Sequence, residues 1–269
     1  MHHKKFVIPV INEIGYYHFL SQEEWFLKIL EKIIPCTQGA FVDAGMNIGQ
    51  TMLKLNAVNS SVQYVGFEPN AACNYYCKKL IEKNNFINYT IYPVGLFDKN
   101  EILTLSLDMD IASGASVLPE FRKLKSRYKF HQQVPVFTGD DILFDKKIQI
   151  GIIKADVEGA ELEVISGMKK IIERDMPVII LEILPYYDSE SENGKYRKGR
   201  MDTLLTFLKM MDYTFFRIHE QTADVEAFEE LATHSDMSQT NFLFLPKQQA
   251  ATILEKMQEG KSLESKKFY

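Results

Sequence analysis

Residues 41–51 read FVDAGMNIGQT, a short apolar run that ends in an acid and then opens into a turn with two glycines. Gly45 and Gly49 allow the backbone to pass close to a ligand, because glycine has no side chain to obstruct the approach. A helix predicted at about 48–58 offers free N–H groups and the positive end of its dipole. In open α/β sheets the ligand binds beyond the carboxyl ends of the strands. The stretch therefore predicts an α/β fold and the edge of its sheet at which a ligand binds.

The remainder of the chain alternates strand and helix patterns around this unit. Apolar runs predict strands at 40–43, 63–68, 89–94, 148–155, 177–184, 213–218 and 241–245, and alternation predicts an exposed strand at 101–107. Helical spacing and start signals predict helices at 22–34, from Pro69, at 160–174, at 200–211 and at 247–258. The last two strands are joined without a long helix, which indicates an antiparallel pair at one sheet edge. This order predicts a three-layer αβα sandwich.

The composition is that of an ordinary globular protein, and it limits the classes of function. The 269 residues are 46% hydrophobic, and 31 Lys and Arg against 36 Asp and Glu leave a net charge of −5. That balance argues against broad nucleic-acid binding through a basic surface. No apolar run approaches the ~18 residues of a membrane span, and no signal-peptide core is evident, so we expect a cytoplasmic protein without a membrane span. The three cysteines do not make a disulfide scaffold, and we expect them to be reduced.

Glu68 follows the second predicted strand, 19 residues after Gly49. A carboxylate at that strand end can accept two hydrogen bonds from the vicinal hydroxyls of a ribose. The dinucleotide pattern G-x-G-x-x-G is not met, because Asn47 occupies the second glycine position and Gln50 follows Gly49. The spacing D-x-G-x-N-x-G suits a smaller group, such as the amino-acid end of S-adenosylmethionine. The alternative is a tight turn whose glycines serve packing only, with Glu68 solvated at a strand end.

Four segments carry a resemblance to a known family: FVDAGMNIGQT, YVGFEPN, IGIIKADVEGAELEVISGM and PVIILEI. Together, over about residues 40 to 245, they resemble an FkbM-type, S-adenosylmethionine-dependent methyltransferase. The resemblance implies the class I methyltransferase fold, which is Rossmann-like, with a seven-stranded, mostly parallel sheet whose last strand is antiparallel. It also implies methyl transfer, most often to an oxygen of a sugar, glycan or secondary metabolite. The chain reads TGDD at 138–141, where the family usually has T-L-D-D, so no acceptor is carried over from relatives.

The resemblance also implies a set of cofactor-binding residues. The methionine part of the cofactor would lie against the glycine turn and its flanks, at Asp43, Ala44, Gly45, Asn47, Gly49 and Gln50. The ribose would lie at Glu68. The adenosine would be flanked by Phe67, Pro69 and Asn70, and its base would be covered by Pro93, Val94 and Gly95. Asp156 would contact the cofactor as well.

We favour one domain with additions at both ends. The predicted parts are an N-terminal helical extension at 1–38, a methyltransferase domain at 39–246, and a C-terminal helix and tail at 247–269. Segments 106–137 and 185–200 are expected to be insertions on the acceptor side. The helices of the two terminal parts could cover the sheet or form a homodimer contact.

Methyl transfer from a sulfonium to a hydroxyl requires alignment of donor and acceptor and the removal of one proton. We predict that Asp156, at the end of a buried strand, is the base, with Glu158 and Glu182 as further candidates. Glu158 could instead stabilise the start of the following helix, and Glu182 could form a structural pair with Lys154. The three acids could also gather a divalent cation, but the reaction needs no Lewis acid, and we expect no metal site.

Acceptor binding is expected from the two insertions and from the strand ends beside them. The candidate residues are Ser116, His131, Lys154, Tyr186, Tyr187 and Arg197. Aromatic rings of this kind stack on sugar faces, and basic side chains pair with phosphate, although a solvated surface loop is the alternative. The leading hypothesis is an O-methyltransferase for a small-molecule or glycan acceptor with a free hydroxyl. The alternatives are an N-methyltransferase, a non-catalytic cofactor-binding relative and an NAD-dependent oxidoreductase.

Overall fold

Helices and strands alternate along most of the chain in the computed structural model. The structure describes residues 4–11, 14–20, 23–107, 115–118, 121 and 128–264. The helices are α1 (Tyr17–Leu20), α2 (Glu24–Ile33), α3 (Gln50–Val58), α4 (Ala71–Asn84), α5 (Gly139–Leu143), α6 (Glu161–Ser166), α7 (Lys169–Asp175), α8 (Glu192–Met210) and α9 (Lys247–Glu264). The strands are β1 (Ala40–Ala44), β2 (Tyr64–Phe67), β3 (Tyr89–Tyr92), β4 (Gly95–Leu96), β5 (Glu101–Leu107), β6 (Phe130–Phe137), β7 (Ile150–Ala155), β8 (Val178–Glu182), β9 (Tyr213–His219), β10 (Asp224–Ala227) and β11 (Asn241–Pro246).

The main sheet has the order β10-β9-β11-β8-β7-β1-β2-β3 within the described residues. Strand β11 is antiparallel to both of its neighbours, which confirms the antiparallel pair expected at that edge. The expected strand count was wrong, because the sheet has eight strands rather than seven. The additional strand, β10, forms a hairpin with β9. Its sequence DVEA is short and polar, so it carries no apolar run to reveal it.

Helices cover both faces of this sheet, as the predicted three-layer sandwich requires. Apolar side chains of α2, α3, α4 and α9 pack into one core, whereas those of α5 to α8 pack into the other. The central strands β1 and β7 are buried on both faces, which explains why their sequences are almost continuously apolar. Helix α2 contacts α3 and α9, so the N-terminal helix belongs to the same core as the sheet.

A second, smaller sheet follows β3. Strand β6 lies between β4 and β5, antiparallel to β5 and parallel to β4. The strand predicted at 101–107 is confirmed as β5, but its partner β6 was missed inside the segment expected to be an insertion. Parts of that segment, at 108–114, 119–120 and 122–127, lie outside the described residues.

Two predictions on the helices were wrong. The polar stretch at 185–199 is a loop only in its first part, because α8 begins at Glu192 and runs without interruption to Met210. The Ser191 hydroxyl caps its start by accepting a hydrogen bond from the Gly194 N–H at 3.1 Å. The helix expected at 160–174 is divided into α6 and α7. Gly167 separates them, and a Cβ there would lie 2.0 Å from the Phe97 carbonyl oxygen.

No helix in the part of the chain that the structure describes combines the length and apolar character needed to cross a membrane.

Candidate active site

Four acidic residues meet where neighbouring parallel strands end. Asp43 lies on β1, Glu68 directly follows β2, Asp156 directly follows β7, and Glu182 ends β8. The strand register places Asp43 beside Gly66 of β2 on one side and beside a residue of β7 on the other. The carboxyl edge of the sheet therefore gathers the acids that the sequence singled out, as predicted for an open α/β sheet.

The glycine turn lies against the chain that leaves β7. Gly45 and Gly49 have φ values of +79° and +84°, in the left-handed region that favours glycine. A Cβ on Gly45 would lie 2.0 Å from the carbonyl oxygen of Asp156. The Asp156 N–H in turn donates to the Ala44 carbonyl oxygen at 3.1 Å. The turn and Asp156 are thus held together by backbone contacts that leave no room for a side chain.

Glu68 is held by two backbone donors. Its Oε2 accepts a hydrogen bond from the Asn47 N–H at 3.0 Å, and its Oε1 accepts one from the Asn70 N–H at 2.8 Å. Burial raises the pKa of Glu68 to about 7, against the opposing effect of those two hydrogen bonds. Each carboxylate oxygen keeps a second lone pair for a further donor. The side chain is therefore fixed in place with acceptor capacity to spare.

A cleft opens above Glu68 and separates the main sheet from the small sheet. Its polar side is formed by the glycine turn and by residues 67–70, and its apolar side by Leu96, Leu105 and Val136. Of the residues expected to bind a cofactor, the cleft is lined by Gly45, Asn47, Phe67, Glu68, Pro69, Asn70, Gly95 and Asp156. The others lie outside this lining: Asp43, Ala44 and Gly49 are buried, Gln50 lines a second cavity, and Pro93 and Val94 precede Gly95.

Asp43 lies beneath the glycine turn and is fully buried. Its Oδ2 accepts a hydrogen bond from the Tyr64 hydroxyl at 2.7 Å, while its Oδ1 accepts none from the residues that the structure describes and lies 3.7 Å from Lys154 Nζ. Burial raises the pKa of Asp43, and the charge of Lys154 and the Tyr64 hydrogen bond oppose that rise. These contacts join the Asp43 side chain to Tyr64 of β2 and to Lys154 of β7.

Lys154 links two of the acids, but not the pair expected from the sequence. Its Nζ lies 3.4 Å from Asp156 Oδ2 and 3.7 Å from Asp43 Oδ1. Among the described residues Lys154 and Glu182 form no ion pair within 4 Å, and Glu182 Oε1 accepts from the Thr240 hydroxyl at 3.2 Å, although the charge of Lys154 lowers the pKa of Glu182. Burial, followed by the charge of Asp156 and a hydrogen bond with it, raises the pKa of Glu182 above its usual range. Asp156 and Glu182 thus lie close enough for the charge of one to affect the ionisation of the other.

The DVEGAE turn is organised by Glu161, a residue that the sequence reasoning did not single out. Its Oε1 accepts hydrogen bonds from the Gly159 N–H at 3.1 Å and the Val157 N–H at 3.4 Å. Burial raises the pKa of Glu161 to about 7. A carboxylate two residues after a glycine, at the first position of α6, is the signal that could have revealed it. Glu158 lies in the same turn with a φ of 57° and lines the cleft.

A metal cluster is not formed by the acids proposed for one. Across the described ranges, no group of three or more His, Cys, Asp or Glu side chains is arranged to hold a metal ion.

The residues expected to bind an acceptor are not among those that line the cleft, although Ser116 lies between two residues that do. The Ser116 hydroxyl donates to the Glu158 carbonyl oxygen at 3.0 Å, and His131 lies on the exposed end of β6. Tyr186 is buried, and its hydroxyl donates to the Leu231 carbonyl oxygen at 2.9 Å. Lys154, by contrast, is among the residues that line a cavity at the strand ends.

Arg197 of α8 is buried, and its guanidinium donates hydrogen bonds to backbone carbonyl groups. It donates from Nε to the Phe121 carbonyl oxygen at 2.8 Å and from Nη1 to that of Pro185 at 2.7 Å, and its Nη2 also reaches Phe121. The guanidinium lies 4.5 Å from the centre of the Phe121 ring. These contacts anchor α8 to two neighbouring segments.

We expect Arg197→Met to lower the free energy of unfolding by about 2–4 kcal/mol, because buried carbonyl groups would lose their donors. Urea denaturation followed by circular dichroism measures the change. Lys195→Met, an exposed position on the same helix, serves as the control and should leave the transition nearly unmoved. Equal midpoints for the two variants would contradict this account of Arg197.

A second cavity adjoins the cleft and shares Gly45, Asn47 and Asp156 with it. Its wall combines residues from both halves of the chain: Glu23, Trp25, Phe26, Met46, Gln50, Thr51, Lys154, Ile180, Glu182, Glu220 and Asn241. The sequence reasoning missed the contribution of α2 and of the β9–β11 edge. Trp25, the single tryptophan of the chain, is the one available signal.

Comparisons with known proteins were made on both sequence and structure. The profile of the methyltransferase FkbM domain matches residues 43–229. The chain is similar to the structure of a methyltransferase FkbM from Methylobacillus flagellatus KT, with 16% identity and a TM-score of 0.48 over 77% of this chain and 43% of that chain. It thus spans less than half the length of that relative. No curated protein matches the chain.

Two further solved structures are similar, with lower TM-scores. One is an O-methyltransferase from Bacillus cereus in complex with SAH, with 13% identity and a TM-score of 0.44 over 82% of this chain and 78% of that chain. The other is fibrillarin from Aeropyrum pernix with natively bound S-adenosyl-L-methionine, with 12% identity and a TM-score of 0.39 over 82% of this chain and 73% of that chain.

Proposed function

Because this chain belongs to the methyltransferase FkbM family, we propose that it transfers a methyl group from S-adenosylmethionine to a hydroxyl oxygen of a sugar, glycan or secondary metabolite. The sulfonium of that cofactor supplies an activated methyl group. The contribution of the protein is then to align the two reactants and to accept one proton. Alignment of this kind can provide about 7–11 kcal/mol of the barrier, and a positioned base a rate factor of about 10²–10⁴.

The observation that carries the proposal is the fixed carboxylate of Glu68 beside the glycine turn. Each of its two oxygens accepts one backbone hydrogen bond and can accept one more. The carboxylate can therefore accept one hydrogen bond from each hydroxyl of a vicinal diol. Gly45 and Asn47 line the cleft beside Glu68, where the turn leads into the positive end of the α3 dipole. The apolar side of the cleft suits a flat, apolar base. The residues present therefore fit the cofactor.

The roles of the acids follow from their positions. Asp156 lines both the cleft and the second cavity, so it lies where donor and acceptor would meet. Lys154 would hold the Asp156 carboxylate in place, and Glu182 would share the proton that the pair receives from the acceptor. Asp156 and Glu182 are thus proposed as the base together, with Glu158 as a contributor to the cofactor cleft.

Calorimetric titration with S-adenosylhomocysteine, with NAD in parallel, tests the cofactor. We expect micromolar binding of the first and none of the second. Incubation with S-adenosylmethionine carrying a labelled methyl group, followed by NMR of the product, then distinguishes an O-methyl from an N-methyl group. Binding of NAD alone would contradict the proposed cofactor. A product methylated on nitrogen would contradict the proposed methylation of oxygen.

The pKa of Glu68 predicts a pH dependence of cofactor binding. The ribose hydroxyls donate to the ionised carboxylate, so affinity for S-adenosylhomocysteine should rise between about pH 6 and about pH 8, by up to about tenfold per pH unit below the pKa of about 7. The sign is opposite for stability. Folding raises this pKa from 4.5 to about 7. The contribution of Glu68 to the free energy of unfolding is therefore largest below pH 4.5 and is lost as pH rises through about 7.

Calorimetry across this pH range checks the prediction, with Glu68→Gln as the matched variant. The pKa of Glu161 is also raised to about 7, and the variant keeps this residue. Any pH dependence of affinity that Glu161 causes is therefore the same in both proteins. Equal slopes for the two proteins would show that Glu68 does not titrate with binding.

We also propose that residues 39–246 are the methyltransferase domain, extended by 1–38 and 247–269. The matched segment 43–229 lies within the central part.

A further inference from the structure

The second cavity has a charge character that the cleft lacks. Its lining, within the described residues, contains the carboxyl groups of Glu23, Asp156, Glu182 and Glu220 and a single ammonium group, that of Lys154. The Lys154 ammonium lies within 4 Å of both Asp156 and the buried Asp43, so its charge is already matched. Even with Glu182 protonated, as its raised pKa favours at neutral pH, the carboxylates of Glu23, Asp156 and Glu220 outnumber the ammonium group, so the cavity has an excess of negative charge.

Glu220 is an acid in this lining for which the described part of the chain supplies no ion-pair partner. Its Oε1 accepts a hydrogen bond from the neutral amide of Asn241 at 2.9 Å. Burial raises the pKa of Glu220, the Asn241 hydrogen bond opposes this, and the negative charges of Glu23 and Asp236 raise the pKa further. By contrast, Glu23 has Lys54 at 2.8 Å. A positive group placed near Glu220 would relieve like-charge repulsion at that side chain.

The remaining wall is suited to a small organic molecule. Trp25, Phe26 and Ile180 supply apolar surface, and Asn241 and Gln50 supply amide groups. An aromatic ring in such a wall attracts both the C–H face of a sugar ring and a nearby cation. The cavity is continuous with the cleft through Gly45, Asn47 and Asp156, so a molecule bound there would lie next to the proposed base.

We infer that this second cavity is the acceptor site, and that it takes a hydroxylated acceptor which carries a protonated amine and no phosphate or carboxylate group. The inference rests on the proposed function, because it assumes that the cleft holds the cofactor. It places acceptor recognition on α2 and on the β9–β11 edge. Phosphorylated and nucleotide-linked acceptors are excluded by the carboxylates, whose repulsion of an anion is not offset by any unpaired cation in the lining.

The charge preference can be tested before the acceptor is identified. The probes are analogues of S-adenosylhomocysteine in which a nitrogen replaces the sulfur and carries a short alkyl chain of graded length. The chain ends in an ammonium, a hydroxyl or a carboxylate group, and S-adenosylhomocysteine itself is the reference. At the best chain length, we expect the ammonium probe to bind about tenfold more tightly than the hydroxyl probe and the carboxylate probe about tenfold more weakly.

Two variants locate the effect. Glu220→Gln should reduce the preference for ammonium over carboxylate by about tenfold, because it removes a carboxylate that forms no ion pair with any described residue. Glu229→Gln is the control, because it removes an exposed carboxylate from a nearby part of the sequence. This variant should retain the full preference. Affinity for S-adenosylhomocysteine is measured in each protein as the internal reference.

The outcomes distinguish a failure of the proposed acceptor site from a failure of the proposed function. If S-adenosylhomocysteine binds and the carboxylate probe binds as well as the ammonium probe, the inference about the acceptor is overturned and the proposed cofactor remains. If Glu220→Gln leaves the preference intact, the assignment of Glu220 is overturned. If S-adenosylhomocysteine itself does not bind, the proposed function fails and the inference fails with it.

Discussion

Glu68→Ala is expected to lower the affinity for S-adenosylhomocysteine by about 30-fold to 1,000-fold, which corresponds to about 2–4 kcal/mol for the loss of two hydrogen bonds to a charged group. The carboxylate is held in place by the N–H groups of Asn47 and Asn70 before any ligand arrives. Binding therefore costs little side-chain ordering at this residue, and most of the hydrogen-bond energy contributes to affinity. Isothermal titration calorimetry at about pH 8, where the carboxylate is ionised, measures the effect.

Two controls make the result specific. Glu173→Ala, an exposed carboxylate on α7, should leave affinity unchanged. The melting temperature of Glu68→Ala should also be recorded, because the N–H groups of Asn47 and Asn70 lose their acceptor in this variant. An affinity within twofold of the wild type, in a folded variant, would remove Glu68 from the cofactor site.

Gly45→Ala is expected to damage both stability and binding. The φ of +79° costs an alanine about 1–3 kcal/mol. The new Cβ would also lie 2.0 Å from the Asp156 carbonyl oxygen, which is a backbone atom and cannot rotate away. The strands must therefore separate or the turn must change its path. Since a displacement of about 1 Å can cost about 10² in rate, we expect binding and methyl transfer to fall by at least that factor.

Gly199→Ala is the matched control for this substitution. Gly199 lies within α8, and a Cβ at that position would meet nothing within 4 Å. Alanine is the better helix former, so the free energy of unfolding should rise by about 0.5–1 kcal/mol with no effect on cofactor affinity. Chemical denaturation and calorimetry on the two variants measure both quantities. A Gly45→Ala protein as stable as Gly199→Ala would contradict the close approach at Asp156.

The fold and the positions of the glycine turn and Glu68 at the sheet edge were accessible from the sequence because their signals are local. The apolar run of β1, the two glycines after it and Glu68 after β2 each occur within a few residues of the strand end that they mark. Parallel strands bring such ends to one edge of a sheet, so spacing along the chain predicts proximity in space. The same reasoning failed for β10, whose four polar residues carry no periodic apolar pattern.

The helical part of 185–200 illustrates a different failure. Glycines at 194 and 199 and a high charge content weaken the helix signal of this stretch. In the structure Arg197, Met201 and Leu204 are buried, and this packing stabilises a helix that propensity alone does not favour. The residues expected to form a loop over an acceptor are thus part of the layer on one face of the sheet.

The sequence by itself determined the α/β class, the antiparallel edge, the family and the position of the glycine turn and Glu68, because each depends on residues close together in the chain. Only the tertiary structure decided that Lys154 pairs with Asp43 and Asp156. It also decided that Glu23 and Glu220, from opposite ends of the chain, line one cavity. No local pattern encodes such a meeting, since it depends on where α2 packs against α3 and α9 and on the order of β8, β11 and β9 in the sheet.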